Sequence, residues 1–269
     1  MKNSVLIAAA ALTMSSTVVS AQSAKFTAVW SDTAQLIRSE ACHDTNEASY
    51  CTDLQLGNTG EVVADVVAHI KVPQAKELLV GVSAQVELFT ETLAKGKKGT
   101  TSTAIAMAEG GVRLFACNGV CYEGEPGRVT LSKRTQELEA TLAGVIESCT
   151  TEVKVNTDTG VGSGSFDLDD CVVEQESIRL ALTTMASHHF NFVFPNLPQG
   201  YYEIIARFDT DSSAMSEVTC DTSVYDYCST SDGSAGAAAY AVIGKHMITV
   251  QEVQAIKDEG GDPTEVDIQ

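Results

Sequence analysis

Between positions 61 and 72 the chain reads EVVADVVAHIKV, with Val62, Ala64, Val66, Ala68, Ile70 and Val72 on one parity and Glu61, Asp65, His69 and Lys71 on the other. Side chains of an extended strand alternate between two faces, so this pattern predicts a half-buried strand. The same period runs through ELLVGVSAQVELFTE at 77–91, where Leu78, Val80, Val82, Ala84, Val86 and Leu88 oppose Gln85, Glu87 and Glu91. AKGKKGT at 94–100 is a glycine-rich, basic connection, and TSTAIAMAEGGVRLFA at 101–116 predicts the next strand, broken or bulged at Gly110-Gly111. In RVTLSKRTQELEATLAGVI at 128–146 the apolar positions are odd at Val129 and Leu131 but even at Leu138, Ala140 and Leu142. A bulge or bend between them accounts for the switch. ESIRLALTTMASHH at 176–189 carries two periods, helical through Ile178, Leu182 and Met185 and alternating through Ile178, Leu180 and Leu182. It is read as a strand running into a short helical turn.

HHFNFVFPNLPQGYYEIIARFD, from His188 to Asp209, reads as strand, turn, strand. Phe190, Phe192 and Phe194 share one face, Pro195 to Gly200 has turn chemistry, and Tyr202, Ile204, Ala206 and Phe208 share a face opposite Glu203 and Arg207. The segment LPQGYYEIIARFD resembles the LPxGxYxIxA pattern of immunoglobulin-like and transthyretin-like β-sandwich modules in secreted bacterial proteins, and that resemblance implies a fold, not an activity. SAGAAAY leads into AVIGKHMITVQEVQAI, a final strand. Together these segments predict an all-β, antiparallel β-sandwich of jelly-roll type, with one or two short helices at most and loops stapled by disulfides.

Lys2, the apolar run Val5 to Leu12 and the small residues ending at Ala21 have the form of a bacterial secretory signal peptide over 1–21, giving an exported, extracellular or periplasmic protein. Its apolar run is too short to span a bilayer, and no later segment qualifies as a membrane span. One sandwich domain over 22–257 and an acidic, glycine-bearing, flexible tail over 258–269 complete the expected organisation. The formal net charge of −19 argues against nucleic acid and anionic membranes as partners, because both are bound by neutralising phosphate with Lys and Arg.

All eight cysteines follow the signal segment, and in an exported chain they are expected to pair. Nearest-neighbour grouping predicts Cys42–Cys51, Cys117–Cys121, Cys149–Cys171 and Cys220–Cys228. No CxxC pair is present, which argues against a thiolate zinc site.

Candidate chemistry is sparse. GxSxG, HExxH, Walker A and GxGxxG motifs are all absent. His188 and His189 are candidate contacts, but as strand neighbours they point to opposite faces and cannot chelate one ion together. Two acidic segments are candidate calcium loops. NTDTGVGSGSFDLDD at 156–170 contributes Asp158, Asp167, Asp169 and Asp170, and DTDSSAMSE at 209–217 contributes Asp209 and Asp211. Tyr225 and Tyr227, between Cys220 and Cys228, either face outward on a rigid loop as ligand contacts or face the core, which is the expected case. Trp30 alternates with Phe26 and Ala28 and is expected to anchor its strand in the core.

Two function classes remain. One is a non-catalytic extracellular module, structural, surface-associated or binding a protein or carbohydrate, with self-association a variant. The other is a carbohydrate-active enzyme on a jelly-roll scaffold, which requires a sheet face lined with polar and aromatic residues and a carboxylate pair.

Overall fold

The computed structural model describes residues 25–45, 50–51, 60–73, 76–155, 162–224, 227–253, 255–256 and 267–268, with only the backbone described at 149–155, 162–170, 255–256 and 267–268. The expected signal segment at 1–21 therefore lies outside the described residues. Sheet I is built from β13 (Ser234–Val253), β5 (Lys76–Gly96) and β11 (Glu176–Leu197), with β1 (Phe26–Ser31) and β2 (Ile37–Thr45) both pairing with β13. Sheet II places β12 (Gly200–Cys220) beside β6 (Thr100–Cys117). Here β3 (Gly60–Val63) and β4 (Ala68–Val72) pair with β12, and β7 (Cys121–Glu123) and β8 (Val129–Leu142) pair with β6. Every pairing is antiparallel. Taking β1 with β2, β3 with β4, and β7 with β8 as single positions, the order is first, eighth, third, sixth in one sheet and second, seventh, fourth, fifth in the other. That is a jelly roll. A separate hairpin, β9 (Val145–Val155) with β10 (Gly162–Glu174), is inserted between the fifth and sixth positions, and β14 (Ala255–Ile256) pairs with β15 (Asp267–Ile268). The one helix among the described residues is a 3₁₀ turn, Thr230–Asp232, with Ser229 at its N-cap.

The period-2 reading determines which residues fill the space between the sheets. Leu78, Val80, Val82, Val86 and Leu88 of β5 meet Phe192 and Phe194 of β11, Ile204 and Phe208 of β12, and Ile248 and Val250 of β13, all buried. The β6–β8 register shifts at Gly110/Gly111, where Leu131 is the extra residue of β8 and is buried, while beyond it Gln136 and Leu142 are buried. The parity switch read from the sequence is this bulge. Towards one end the interior becomes polar: Gln136 accepts from Thr90 (3.0 Å) and donates to Thr92 Oγ1 (2.8 Å) and to the Leu180 carbonyl (2.7 Å).

Three expectations are corrected. The strand read at 61–72 is interrupted between β3 and β4, where Asp65 accepts hydrogen bonds from Ser31 and Thr33. The helical turn expected before His189 is absent, and 176–197 is strand throughout. Because β11 lies at the edge of sheet I, Ile178, Leu180 and Leu182 stay partly exposed, and Met185 points to the opposite face. The acidic segment at 209–217 is no loop but the interior of β12, and 162–170 belongs to β10.

Cys42–Cys51, Cys117–Cys121 and Cys220–Cys228 are bonded as expected. Cys171 is also disulfide-bonded, and its register partner across the β9–β10 hairpin is Cys149. Each bonded pair closes a short segment at a strand end, which restricts the unfolded chain.

Phe208 is fully buried, whereas Met215 on the same strand is largely exposed. Phe208→Ala is expected to cost about 3–5 kcal/mol and Met215→Ala no more than about 0.5 kcal/mol, measured by urea unfolding with the disulfides intact.

Candidate ligand-binding site

Trp30 is not a core anchor: it is 65% exposed. The odd residues of β1 turn inward, with Val29 packed on the core and Ser31 buried, so Phe26, Ala28 and Trp30 stand on the outer face of sheet I. The register carries that face across four strands, from Trp30 to Met247, Ser83 and His189 in one row, and from Ala28 to Thr249, Gly81 and Asn191 in the next.

Two backbone features hollow the face. Against β5, β13 has one extra residue between Ile243 and His246, a bulge that sends Lys245 outward and His246 inward. At Gly81 an added Cβ would lie 2.6 Å from Thr249 Oγ1 and 2.7 Å from His189 Cε1, so only glycine leaves these side chains in place. Beside the bulge lies a pocket of about 310 Å³ bounded by Trp30, Met247, Ser83, Gln85, Ser187 and Lys245, with Ser31 and His246 beneath.

The floor is polar and buried. The His246 ring packs against Phe208, Nδ1 lies 3.0 Å from the Gly244 carbonyl, and Nε2 lies 3.0 Å from Asp65 Oδ1 without hydrogen-bond geometry. Hydroxyl hydrogen bonds from Ser31 and then Thr33 hold the Asp65 carboxyl below its ordinary range. Beyond Gln85 the face continues to Glu87, which accepts from the Tyr240 hydroxyl (2.8 Å). Tyr240 in turn stacks on Phe89 and lies under Arg38.

Of the histidines singled out by sequence, His189 belongs to this face. With its Nε2 protonated it donates to Asn191 Oδ1 (3.0 Å) and accepts from Ser83 (2.9 Å). His188 takes the opposite parity and is half-buried. Tyr225 lies outside the described residues, and Tyr227 is 52% exposed rather than core-facing, because its loop precedes β13. Asp158 also lies outside the described residues, and Asp167, Asp169 and Asp170 sit on β10. Asp209 is held by Arg128 through Nε (3.0 Å) and Nη2 (2.5 Å), while Arg128 also reaches Glu109 (2.8 Å). Exposed Asp211 is the next residue but one along the same strand face. Among the described residues, no three His, Cys, Asp or Glu side chains are grouped to hold a metal ion.

Sequence reading missed Ser83, Gln85, Ser187, Lys245 and Met247. One signal was available: in β13 Ile243 is odd while Ile248 and Val250 are even, the same kind of parity switch that marks the β8 bulge.

A second hollow, of about 360 Å³, lies on sheet II between His69, Asn118, Tyr201 and Glu203. Its aromatic groups are already engaged, Tyr201 beneath Lys71 and the Tyr202 hydroxyl on the Pro198 carbonyl (2.8 Å).

Burial, followed by the hydrogen bond to Glu87, pushes the Tyr240 phenol from its ordinary 10 up to about 12. A raised folded-state value stabilises fully below the unfolded value and is lost as pH rises through the folded one. Stability is therefore expected to decline between pH 10 and about 12, with a smaller decline in Tyr240→Phe, read from urea midpoints across a pH series.

No protein-family model matches the chain, and no curated protein sequence matches it. A solved structure of infectious bursal disease virus, Gx strain, aligns with 86% of this chain and 40% of that chain at 12% identity and a TM-score of 0.21, a likeness too slight to inform fold or function.

Proposed function

We propose that this chain is an exported, non-catalytic binding module that holds a carbohydrate on the outer face of sheet I. The observation that carries the reading is the exposed Trp30 indole beside a pocket lined by hydroxyl, amide and ammonium groups. A sugar ring presents C–H groups on its faces and hydroxyls around its rim. The indole takes the apolar face, while Ser83, Gln85 and Ser187 offer donors and acceptors to the rim. Hydrolysis calls for two carboxylates flanking the scissile bond, and no carboxylate is among the described residues that bound this pocket. That favours binding over the enzyme reading. Paired cysteines on several loops fit an oxidising, extracytoplasmic setting.

Trp30 is the only tryptophan in the chain, so tryptophan emission, excited selectively over the seven tyrosines, reports on this site alone. Titration with soluble oligosaccharides is expected to shift the emission, and Trp30→Ala to weaken binding at least about tenfold, about 1.4 kcal/mol, by calorimetry. Chromatography of the same mixtures after prolonged incubation is expected to return the oligosaccharides uncut. Unchanged affinity in Trp30→Ala refutes the site, and cleavage refutes the non-catalytic reading.

A further inference from the structure

We infer that the carbohydrate bound at Trp30 carries an anionic group, a carboxylate or a sulfate, and that Lys245 is the residue that reads it. The inference rests on the carbohydrate reading and narrows it. In a chain of net charge −19 an anion meets repulsion over most of the surface, so a place built to accept one must exclude carboxylates and present a cation. The Trp30 pocket does both.

Lys245 is exposed there only because the β13 bulge turns it outward, and it takes part in none of the ion pairs of the described residues. Most other basic side chains are engaged: Arg179 with Glu91, Arg128 with Asp209 and Glu109, Arg207 with Glu61, Lys97 and Lys98 with Asp232. Two of the carboxylates around the pocket are engaged by hydrogen bonds. Asp65 receives Ser31 and Thr33 and faces His246, Glu87 receives Tyr240, and Asp32 is exposed on the connection after β1. An ammonium beside an indole thus offers a sugar a charged contact at the rim and an apolar one at the face. Gln85, Ser83 and Ser187 then supply neutral hydrogen bonds to the ring hydroxyls.

The test compares three probes by Trp30 fluorescence and calorimetry: a uronic-acid oligosaccharide, a sulfated galactan oligosaccharide and a neutral β-glucan oligosaccharide. At least one anionic probe is expected to bind more tightly than the neutral one, and to weaken as salt rises, because exposed charge attraction is screened over about 8 Å at physiological ionic strength. Lys245→Gln is expected to lower that anionic affinity by about tenfold, and by more than it lowers neutral binding. Equal binding of neutral and anionic probes, or an anionic affinity indifferent to salt and to Lys245→Gln, overturns the inference while the carbohydrate reading stands. Failure of all three probes to bind overturns both. The salt series on the unaltered protein needs no variant, so a misfolded variant does not decide the result.

Discussion

An added methyl at Gly244 would sit 2.4 Å from the Ala34 carbonyl oxygen, so the backbone of β13 and the connection between β1 and β2 meet at a distance that only glycine permits. Leu36 N–H donates to the Ile243 carbonyl (2.7 Å) beside it. This contact lies where β13 accommodates its extra residue and where β1 hands over to β2 along the same edge. Without the extra residue one half of β13 would present its polar side to the core. With it, Ala237, Ala239 and Ile243 on one side and His246, Ile248 and Val250 on the other all face inward. The same step turns Lys245 out towards Trp30. Packing and pocket are therefore two results of one backbone irregularity.

The interior follows a second constraint, the need to satisfy polar groups in a sandwich with strands of about 20 residues. At those lengths the space between the sheets is not filled by large apolar groups alone. Towards one end Thr90 donates to Gln136, which donates to Thr92, and on the β2 side Ser39 meets Ser212 (2.7 Å) and His43 meets Ser216 (2.7 Å). Hydrogen-bonded in this way, the buried hydroxyls avoid the desolvation penalty of unpaired groups and cross-link the sheets. Arg134 does the same at the open edge, donating to the Leu182 carbonyl and to Thr184 Oγ1 and tying β8 to β11.

Charge is partitioned along with the packing. On sheet I, Glu91 accepts from Arg179 and from Tyr50. On sheet II, Arg128 bridges Asp209 and Glu109, and Lys133 adds to Glu109. Burial alone would raise the Glu109 carboxyl, but hydrogen bonds from Arg128, Lys133 and Thr130 outweigh it and leave it lowered. Opposite charges are thus drawn into clusters, and among the described residues that line the Trp30 pocket there are hydroxyls, an amide and an ammonium but no carboxylate.

Alternation, turn chemistry and cysteine spacing were enough to determine an antiparallel jelly roll, the phenylalanine faces of β11, the bulge at Gly110-Gly111 and three of the disulfide pairs. These are local properties, expressed over a few residues, and burial on one face enforces them. What sequence alone left undecided depends on which neighbour a residue acquires. Trp30 reads as a core aromatic until β1 is placed at the edge, where Val29 and Ser31 already occupy the inward positions. The 176–189 segment keeps a helical signature until pairing with β5 compels it to extend, because its backbone groups then find partners residue by residue. Asp209 looks like a loop ligand until β12 brings it against Arg128. The pocket draws on β1, β5, β11 and β13, from Trp30 to Met247, and only the order of strands in the sheet makes neighbours of residues so far apart in the chain.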